Sequence, residues 1–316
     1  MHRLLRIVAV AAACVIPAHS AAIAQSSLFT LRVASTSDDQ VTPVLYAVRT
    51  GRFRRAGLDV RIERGSSGRP IATGVGLGTY DIGKASVLSL MVARERGKPF
   101  VLIAPGGISD SRSSYGLLIT SKKSPIRTAP DLNGKTIATA SLDSVERVAA
   151  MAWVDKGGGD SRTLKFLTVP QTDAGAAIEQ HLVDAANTVH PQVDAILATG
   201  RMRVLANAYP SIAPQYYVSA WFADGDWASK HADVVATFVR VVRETAAYTN
   251  EHHAETAPML AQFSGYSVDV VRRMTRAVAG TSLEPALVQP IIDAGTKYGV
   301  LHHAFPAQTV IYAPKT

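Results

Sequence analysis

Cysteine is almost missing from these 316 residues; the one present, Cys14, falls in the first two dozen. Without a thiol in the body of the chain, disulfides and thiolate-held metals are excluded. Long apolar runs are missing as well: after Ala24 nothing is long enough to cross a bilayer as a helix. There is no fixed-period repeat, no low-complexity tract, no G-x-S-x-G nucleophile elbow and no metal-ligand spacing. The pairs His252-His253 and His302-His303 assemble no site, because adjacent residues on a helix do not face one direction; they are expected at the surface.

Residues 1–24 read as a secretory signal peptide. Arg3 and Arg6 make a basic start, an apolar run continues through Ile16, and Ala22-Ile23-Ala24 forms a small-x-small cleavage signal. The stretch AAAC also offers a weaker lipoprotein alternative, with anchoring at Cys14. The expected location is periplasmic. The full chain carries 33 Lys and Arg against 25 Asp and Glu; loss of Arg3 and Arg6 with the leader trims that excess slightly. One denser basic run, Arg49 to Arg69, reads as a solvated face, since no nucleic-acid motif accompanies it. The positive balance tolerates an anionic solute.

The rest is too long for one small core and suits two lobes. Strands and helices alternate. Leu28–Ala34 reads as a strand, PVLYAVRTGRF as a helix ended by Gly51, and LDVRIER as a half-buried strand. A short helix from Arg69 to Gly78, a strand YDIG, an apolar helix opened by Ser86 and the strand PFVLIAP follow. In the second half Leu117–Thr120, Lys135–Ala138, LKFLTV, VDAANTV, MRVLANA and YYVSAWF read as strands. SLDSVERVAAMAWVDKGG is an amphipathic helix with Val145, Val148, Ala149 and Ala152 on its apolar stripe. After Trp221 the chain turns largely helical. Such a series implies two parallel-rich sheets with helices on their faces.

The stretch GVGLGTYDIGKAS (74–86) has the look of a nucleotide-binding turn. A dinucleotide fingerprint places G-x-G-x-x-G after a strand and before a helix. Here Gly74, Gly76 and Gly78 are spaced G-x-G-x-G and precede a strand, so they end a helix, with Gly78 suited to a left-handed cap.

The ordered stretches PVLYAVRTGRFRRAGLDV, RIERGSSG and GLGTYDIGKAS, then SKKSPIRTAPDLNGKTIATAS and LVDAANTVHPQVDAI, resemble the sulfonate/nitrate/taurine-type periplasmic binding proteins. That family includes binders of thiamine-pyrimidine precursors. The resemblance covers nearly all of the chain after the leader. It implies an α/β, two-lobed periplasmic-binding-protein type II fold, each lobe a mixed, mainly parallel sheet flanked by helices. Lobe 1 would be residues 25–113 plus 222–316, and lobe 2 residues 114–221. Two crossing segments, near Ser113–Tyr115 and Val218–Trp221, would form the hinge. Function is implied likewise: an ABC importer's solute receptor, working as a monomer with a permease in the inner membrane, with no cofactor, no catalytic residue, no metal and no nucleic acid.

In open α/β sheets solutes lie outside the carboxyl ends of the strands. Candidate contacts there are Ser35, Thr36, Ser37 and Asp38 after the first strand, Ser66 and Ser67 after the second, and Ser86 after the third. In the second lobe they are Ser141, Ser144, Asn187 and His190. Helix N-termini with hydroxyls suit a carboxylate or sulfonate. Capping alone also explains Ser86, Ser141 and Ser144. Asp38 would repel an anion, and so favours a solute carrying an amine or else points away. His190 precedes Pro191 at a strand-to-helix exit and can donate to an anion or stack on a ring. Trp221, Trp227, Tyr216 and Tyr217 lie near the return crossing, where core packing is the leading use.

The expected solute is small: a sulfonate, carboxylate, aromatic acid or pyrimidine-like molecule. Two alternatives remain. An enzyme on the same fold would act on a small heterocycle or carboxylate, but the precursor-forming branch of the family depends on a cysteine-rich motif missing from this chain. A sensory or partner-docking domain would be expected to join a transmembrane or signalling segment, and none is expected after IYAPKT.

Overall fold

A computed structural model describes residues 28–110 and 115–314. The expected signal peptide, Cys14 and Ser113 lie outside the described residues. In chain order the first strands are β1 (Phe29–Ser35), β2 (Leu58–Arg64), β3 (Ile82–Ser86), β4 (Phe100–Pro105) and β5 (Gly107–Asp110). Next come β6 (Gly116–Ser121), β7 (Thr136–Thr139), β8 (Lys165–Thr168), β9 (Ala185–Val189) and β10 (Met202–Ala206). Last are β11 (Gln215–Tyr217), β12 (Ser219–Asp224) and β13 (Val278–Ala279). The helices are α1 (Thr42–Arg49), α2 (Arg52–Arg55), α3 (Gly68–Gly76), α4 (Val87–Glu95), α5 (Val145–Lys156) and α6 (Ala174–Glu179). They continue with α7 (Gln192–Ala198), α8 (Gly225–Lys230), α9 (Ala232–Glu251), α10 (His253–Ser264), α11 (Val268–Arg273) and α12 (Pro285–Lys297).

Two five-stranded sheets share one plan. The first runs β2-β1-β3-β12-β4; the second, taken from the matching edge, runs β8-β7-β9-β6-β10. In each, the first three strands are parallel and the fourth opposes both of its neighbours. The reversed strand is the one that enters from the other half of the chain: β6 opens the second sheet, and β12 brings the chain back into the first. These are the mixed, mainly parallel sheets that the resemblance implied; sequence alternation alone gave strands and helices but not which strand is reversed. A three-stranded antiparallel sheet, β11-β5-β13, sits at the crossings.

YYVSAWF is therefore two strands. Val218 breaks them because its amide bonds Gly107 O and its carbonyl accepts from Val87 N, both at 3.0 Å. Close approach at the crossings requires glycine. A Cβ on Gly106 would stand 2.6 Å from Ser219 O, and one on Gly116 2.5 Å from Thr188 O. Gly78 lies at φ +72°, past the end of α3, which is the helix-ending role read from its spacing.

Helix α9 illustrates how burial positions the rest. Val234, Val235, Phe238, Val241, Val242 and Ala246 recur at intervals of three and four and are all buried. Each side chain of that size contributes about 1.5–3 kcal/mol by leaving water. Phe238 stacks on Phe53 and meets Trp221 edge-on at 5.7 Å, so Trp221 packs in the core. A second apolar cluster runs continuously from α4 (Leu88, Met91) to α5 (Val145, Val148) and α12 (Val288, Ile291), joining the helices of the two sheets. Among the described residues no helix is long and apolar enough to cross a membrane.

Candidate functional site

The carboxyl ends of β1 and β3 and the start of the reversed β12 lie together at one edge of the first sheet, with Ser86 and Ser219 paired in register. The chain leaving β1 is held by an internal ion pair. Lys84, in the middle of β3, is 1% exposed and directs its ammonium to Asp38 Oδ1 at 2.7 Å, Asp38 Oδ2 at 2.8 Å and Thr36 Oγ1 at 3.2 Å. All three ammonium protons are thereby used. Asp38 also accepts from Thr36 Oγ1 at 2.5 Å and from Gln40 N at 3.1 Å. Asp38 is thus neutralised by an in-chain cation, a partner that the reading of its charge against a solute left out. Its neighbour Asp39 is matched in the same way by the buried Arg276, with guanidinium contacts of 2.8 and 2.9 Å. Gln40 Oε1 accepts from Ser219 Oγ, which in turn accepts from Gly107 N at 3.1 Å.

Across from this edge stand the ends of β7 and β9 and the first turn of α5. Glu146, 5% exposed, is held by Gln171, whose Nε2 donates to its Oε1 at 3.2 Å. The same Gln171 accepts through Oε1 from Thr188 Oγ1 at 2.5 Å and from Val189 N at 2.9 Å. Asn187 donates through Nδ2 to Glu146 O at 2.8 Å, which fixes its amide and leaves Oδ1 unpartnered. His190 Nδ1 meets Asp194 Oδ2 at 2.5 Å, and Nε2, buried, has no partner. Gln192 Oε1, Ser86 Oγ, Tyr209 OH and Glu146 Oε2 are likewise buried and unpartnered. Ser144 Oγ sits near enough to act on the Glu146 charge yet outside hydrogen-bond geometry.

Burial, and then the nearby Asp38 charge, push the Glu146 carboxyl above the usual carboxylate range against the pull of its hydrogen bonds. Burial likewise raises the phenols of Tyr115 and Tyr209 well above theirs, with Asp38 and Glu146 adding to the first and Glu146 to the second. Those cross-influences place Asp38 of the first half near Tyr115 and Glu146 of the second, with Tyr209 beside them. The rings of Tyr115 and Tyr209 pack edge to face at 5.1 Å. Buried polar groups are costly when unpartnered, and so many in one place mark where a ligand's groups would substitute for water.

The remaining expected contacts are distributed as follows. Ser35 donates to Thr36 O at 2.9 Å, Ser37 is half-buried, Ser66 is exposed, and Ser67 precedes α3 without capping it. Ser86 and Ser144 occupy the N-cap positions of α4 and α5, but neither hydroxyl makes a cap bond. Ser141 Oγ accepts from Asp143 N at 3.2 Å, closing a turn. Ser144 and Asn187 thus come together at Glu146, within reach of the Asp38 charge, and His190 N approaches Tyr115 O at 3.4 Å, whereas Ser66 is exposed. His252 and His253 are half-buried, not surface residues as expected, because His252 stacks on Tyr248 at 3.7 Å. Sequence reasoning missed Lys84, Glu146, Gln171, Tyr209 and Gln192. Lys84 carried a usable signal, a lone cation inside a strand otherwise made of small and apolar residues, which must find an acid when buried.

At the rim, Asp143 ties the two halves. Its carboxylate meets Arg69 at 2.9 Å and Arg96 at 3.6 Å, and its carbonyl accepts from Ser89 Oγ at 2.9 Å. Among the described residues no group of His, Cys, Asp and Glu is placed to hold a metal.

With this geometry in view, the similarity to known proteins takes its meaning. Residues 38–256 match the NMT1/THI5-like family, and the chain belongs to it. It is 23% identical over 225 residues to a protein of Escherichia coli (strain K12) assigned to aliphatic sulfonate binding; the match covers 69% of this chain and 66% of that protein. Among solved structures, the periplasmic aliphatic sulphonate binding protein SsuA of Escherichia coli superimposes with a TM-score of 0.74 at 19% identity, covering 92% of this chain and 94% of that one. The periplasmic nitrate-binding protein NrtA of Synechocystis PCC 6803 gives 0.73 at 11% identity, covering 90% and 85%. These likenesses establish the fold, that of periplasmic binding proteins.

Proposed function

We propose that this chain is the extracytoplasmic solute-binding component of an ABC importer, trapping a small solute between two lobes and presenting it to a membrane permease. One observation carries the reading: buried polar atoms without partners occur at strand ends of both sheets, Ser86 Oγ in the first and Asn187 Oδ1 and His190 Nε2 in the second. Family membership and the sulfonate- and nitrate-binding relatives support it. In this reading the lobes follow the two sheets, and the expected second boundary, 221/222, moves to Ser219, where β12 joins the first sheet. Hinge motion would fall on β5, β11 and the break at Val218. A solute drives closure only through its higher affinity for the closed state.

Binding without chemistry is the expected behaviour. Purified protein stripped of co-purifying solute and titrated with a library of small acids, amines and heterocycles should show a thermal shift with at least one compound. Small-angle scattering should show compaction with that same compound, and mass spectrometry should recover it unaltered. A ligand returned with a changed mass, or tight binding without compaction, would refute the proposal.

A further inference from the structure

Within that receptor reading, on which this inference rests, we propose that the solute is recognised through a positively charged, N–H-rich nitrogen group, an amidinium, guanidinium or ammonium, with Glu146 as its specificity-determining partner. A sulfonate or carboxylate is not the recognised end.

Among the described residues, the two buried cations next to Asp38 and Asp39 are already committed. Lys84 spends its donors on Asp38 and Thr36 inside the first sheet, and Arg276 spends its guanidinium on Asp39. The second wall offers acceptors. Glu146 Oε2 is buried with no partner, and among the described residues no basic side chain forms an ion pair with its carboxylate. Asn187 presents Oδ1, because Nδ2 is held by Glu146 O. Gln192 presents Oε1, and His190, with Nδ1 turned to Asp194, presents Nε2. Arg147, next in sequence to Glu146, makes no ion pair with it: its guanidinium lies 5.3 Å over the Phe166 ring and donates through Nη1 to Leu142 O at 3.1 Å, while its Nε is buried without a partner. An anion placed against Glu146 would meet an unpaired carboxylate and the acceptor oxygens of Asn187 and Gln192, an arrangement that repels. A planar nitrogen cation would meet the buried Glu146 carboxylate, which has no ion-pair partner among the described residues, and its N–H groups would satisfy oxygens that are now unpaired.

The test uses matched pairs on the stripped, full-length secreted protein: benzamidine against benzenesulfonate and benzoate, butylamine against butanesulfonate and butyrate, and methylguanidine against nitrate. Calorimetric titration and thermal shift are read for wild type and for Glu146→Gln and Glu146→Asp. At least one cation should bind at least tenfold more tightly than its anionic counterparts. Glu146→Gln should weaken that cation tenfold or more, while Glu146→Asp recovers part of the loss. Circular dichroism and unfolding midpoints check that the variants are folded. Tighter binding of the anions, binding of none of the cations, or a cation affinity indifferent to Glu146→Gln would each overturn the assignment. Sulfonate binding with compaction would remove this inference and leave the receptor reading intact. A silent library, with no compound compacting the protein, would remove the receptor reading as well.

Discussion

Replacing Lys84 with Met isolates what the buried pair in the first sheet is worth. The ammonium is 1% exposed and its partner carboxylate 9%, so the variant leaves Asp38 ionised, buried and stripped of its only ion-pair partner among the described residues. Removing one member of a buried pair costs about 3–5 kcal/mol. Two bonds remain to Asp38, from Thr36 Oγ1 and Gln40 N, and these hold the cost toward the lower end. The neighbouring Glu146 charge raises it again, because Asp38 and Glu146 are close enough to repel and would then have no ion-pair partner among the described residues. About 4 kcal/mol is expected, and at about 2 °C per kcal/mol for a chain of this size the midpoint falls by about 8 °C. The companion Lys84→Met/Asp38→Asn removes both charges. It should recover at least half the loss, since the penalty lies in the orphaned carboxylate rather than in the missing attraction. Urea unfolding of the three proteins, with thermal scans at neutral pH, completes the cycle. If Lys84→Met sits within about 1 kcal/mol of wild type, or the double variant is less stable than the single, the view of Asp38 as a charge that must be neutralised from within is wrong.

Glu146→Gln should raise stability at neutral pH by about 1 kcal/mol, the scale of relieving one poorly matched buried polar group. Burial lifts the folded carboxyl above its unfolded value, so its favourable contribution is complete below the unfolded pKa and disappears as pH rises through the folded one. The gain over wild type should therefore vanish in acid, as melting scans from pH 4 to 8 will show. Asp143→Asn loses rim ion pairs to arginines that are 61–68% exposed; such pairs are worth at most about 1 kcal/mol, so the melting point should hardly move. Small-angle scattering of the solute-free variant should nonetheless show a larger radius at low salt, with wild type approaching it as salt screens the pairs. Gly116→Ala forces a methyl group against Thr188 O and should destabilise by about 1–3 kcal/mol, measured by urea denaturation.

How much of this was legible beforehand depended on the range of the interactions involved. Elements set by local pattern came through nearly intact: LDVRIER is β2, PFVLIAP is β4, and the helix stripe of Val145, Val148 and Ala149 is the buried face of α5. Gly78 could be assigned to a helix end because order and spacing are local facts. The reversed strands could not, since a single alternating run looks alike whichever way it enters a sheet, and the partners that decide the matter, Ser86 for β12 and Val189 for β6, are distant in sequence. The site divides along the same line. Hydroxyls at strand exits are visible where a strand gives way to a helix, and Ser86 and Ser144 were singled out as such helix-opening serines. Glu146 was not, because on a helix it reads as an exposed acid of an amphipathic first turn; only the packing of α5 against β9, with Asn187 bonded to its carbonyl, turns it inward. Lys84 was hidden for the opposite reason. Its partner Asp38 was recognised, and its charge was weighed against an imagined solute when the counter-charge lay in the neighbouring strand. Reading a cleft from sequence therefore errs in a definite direction: it assigns to the ligand the charges that the fold has already paired within itself. The groups left over after that pairing, here the Glu146 carboxylate and the acceptors around it, are the ones that remain to select what binds.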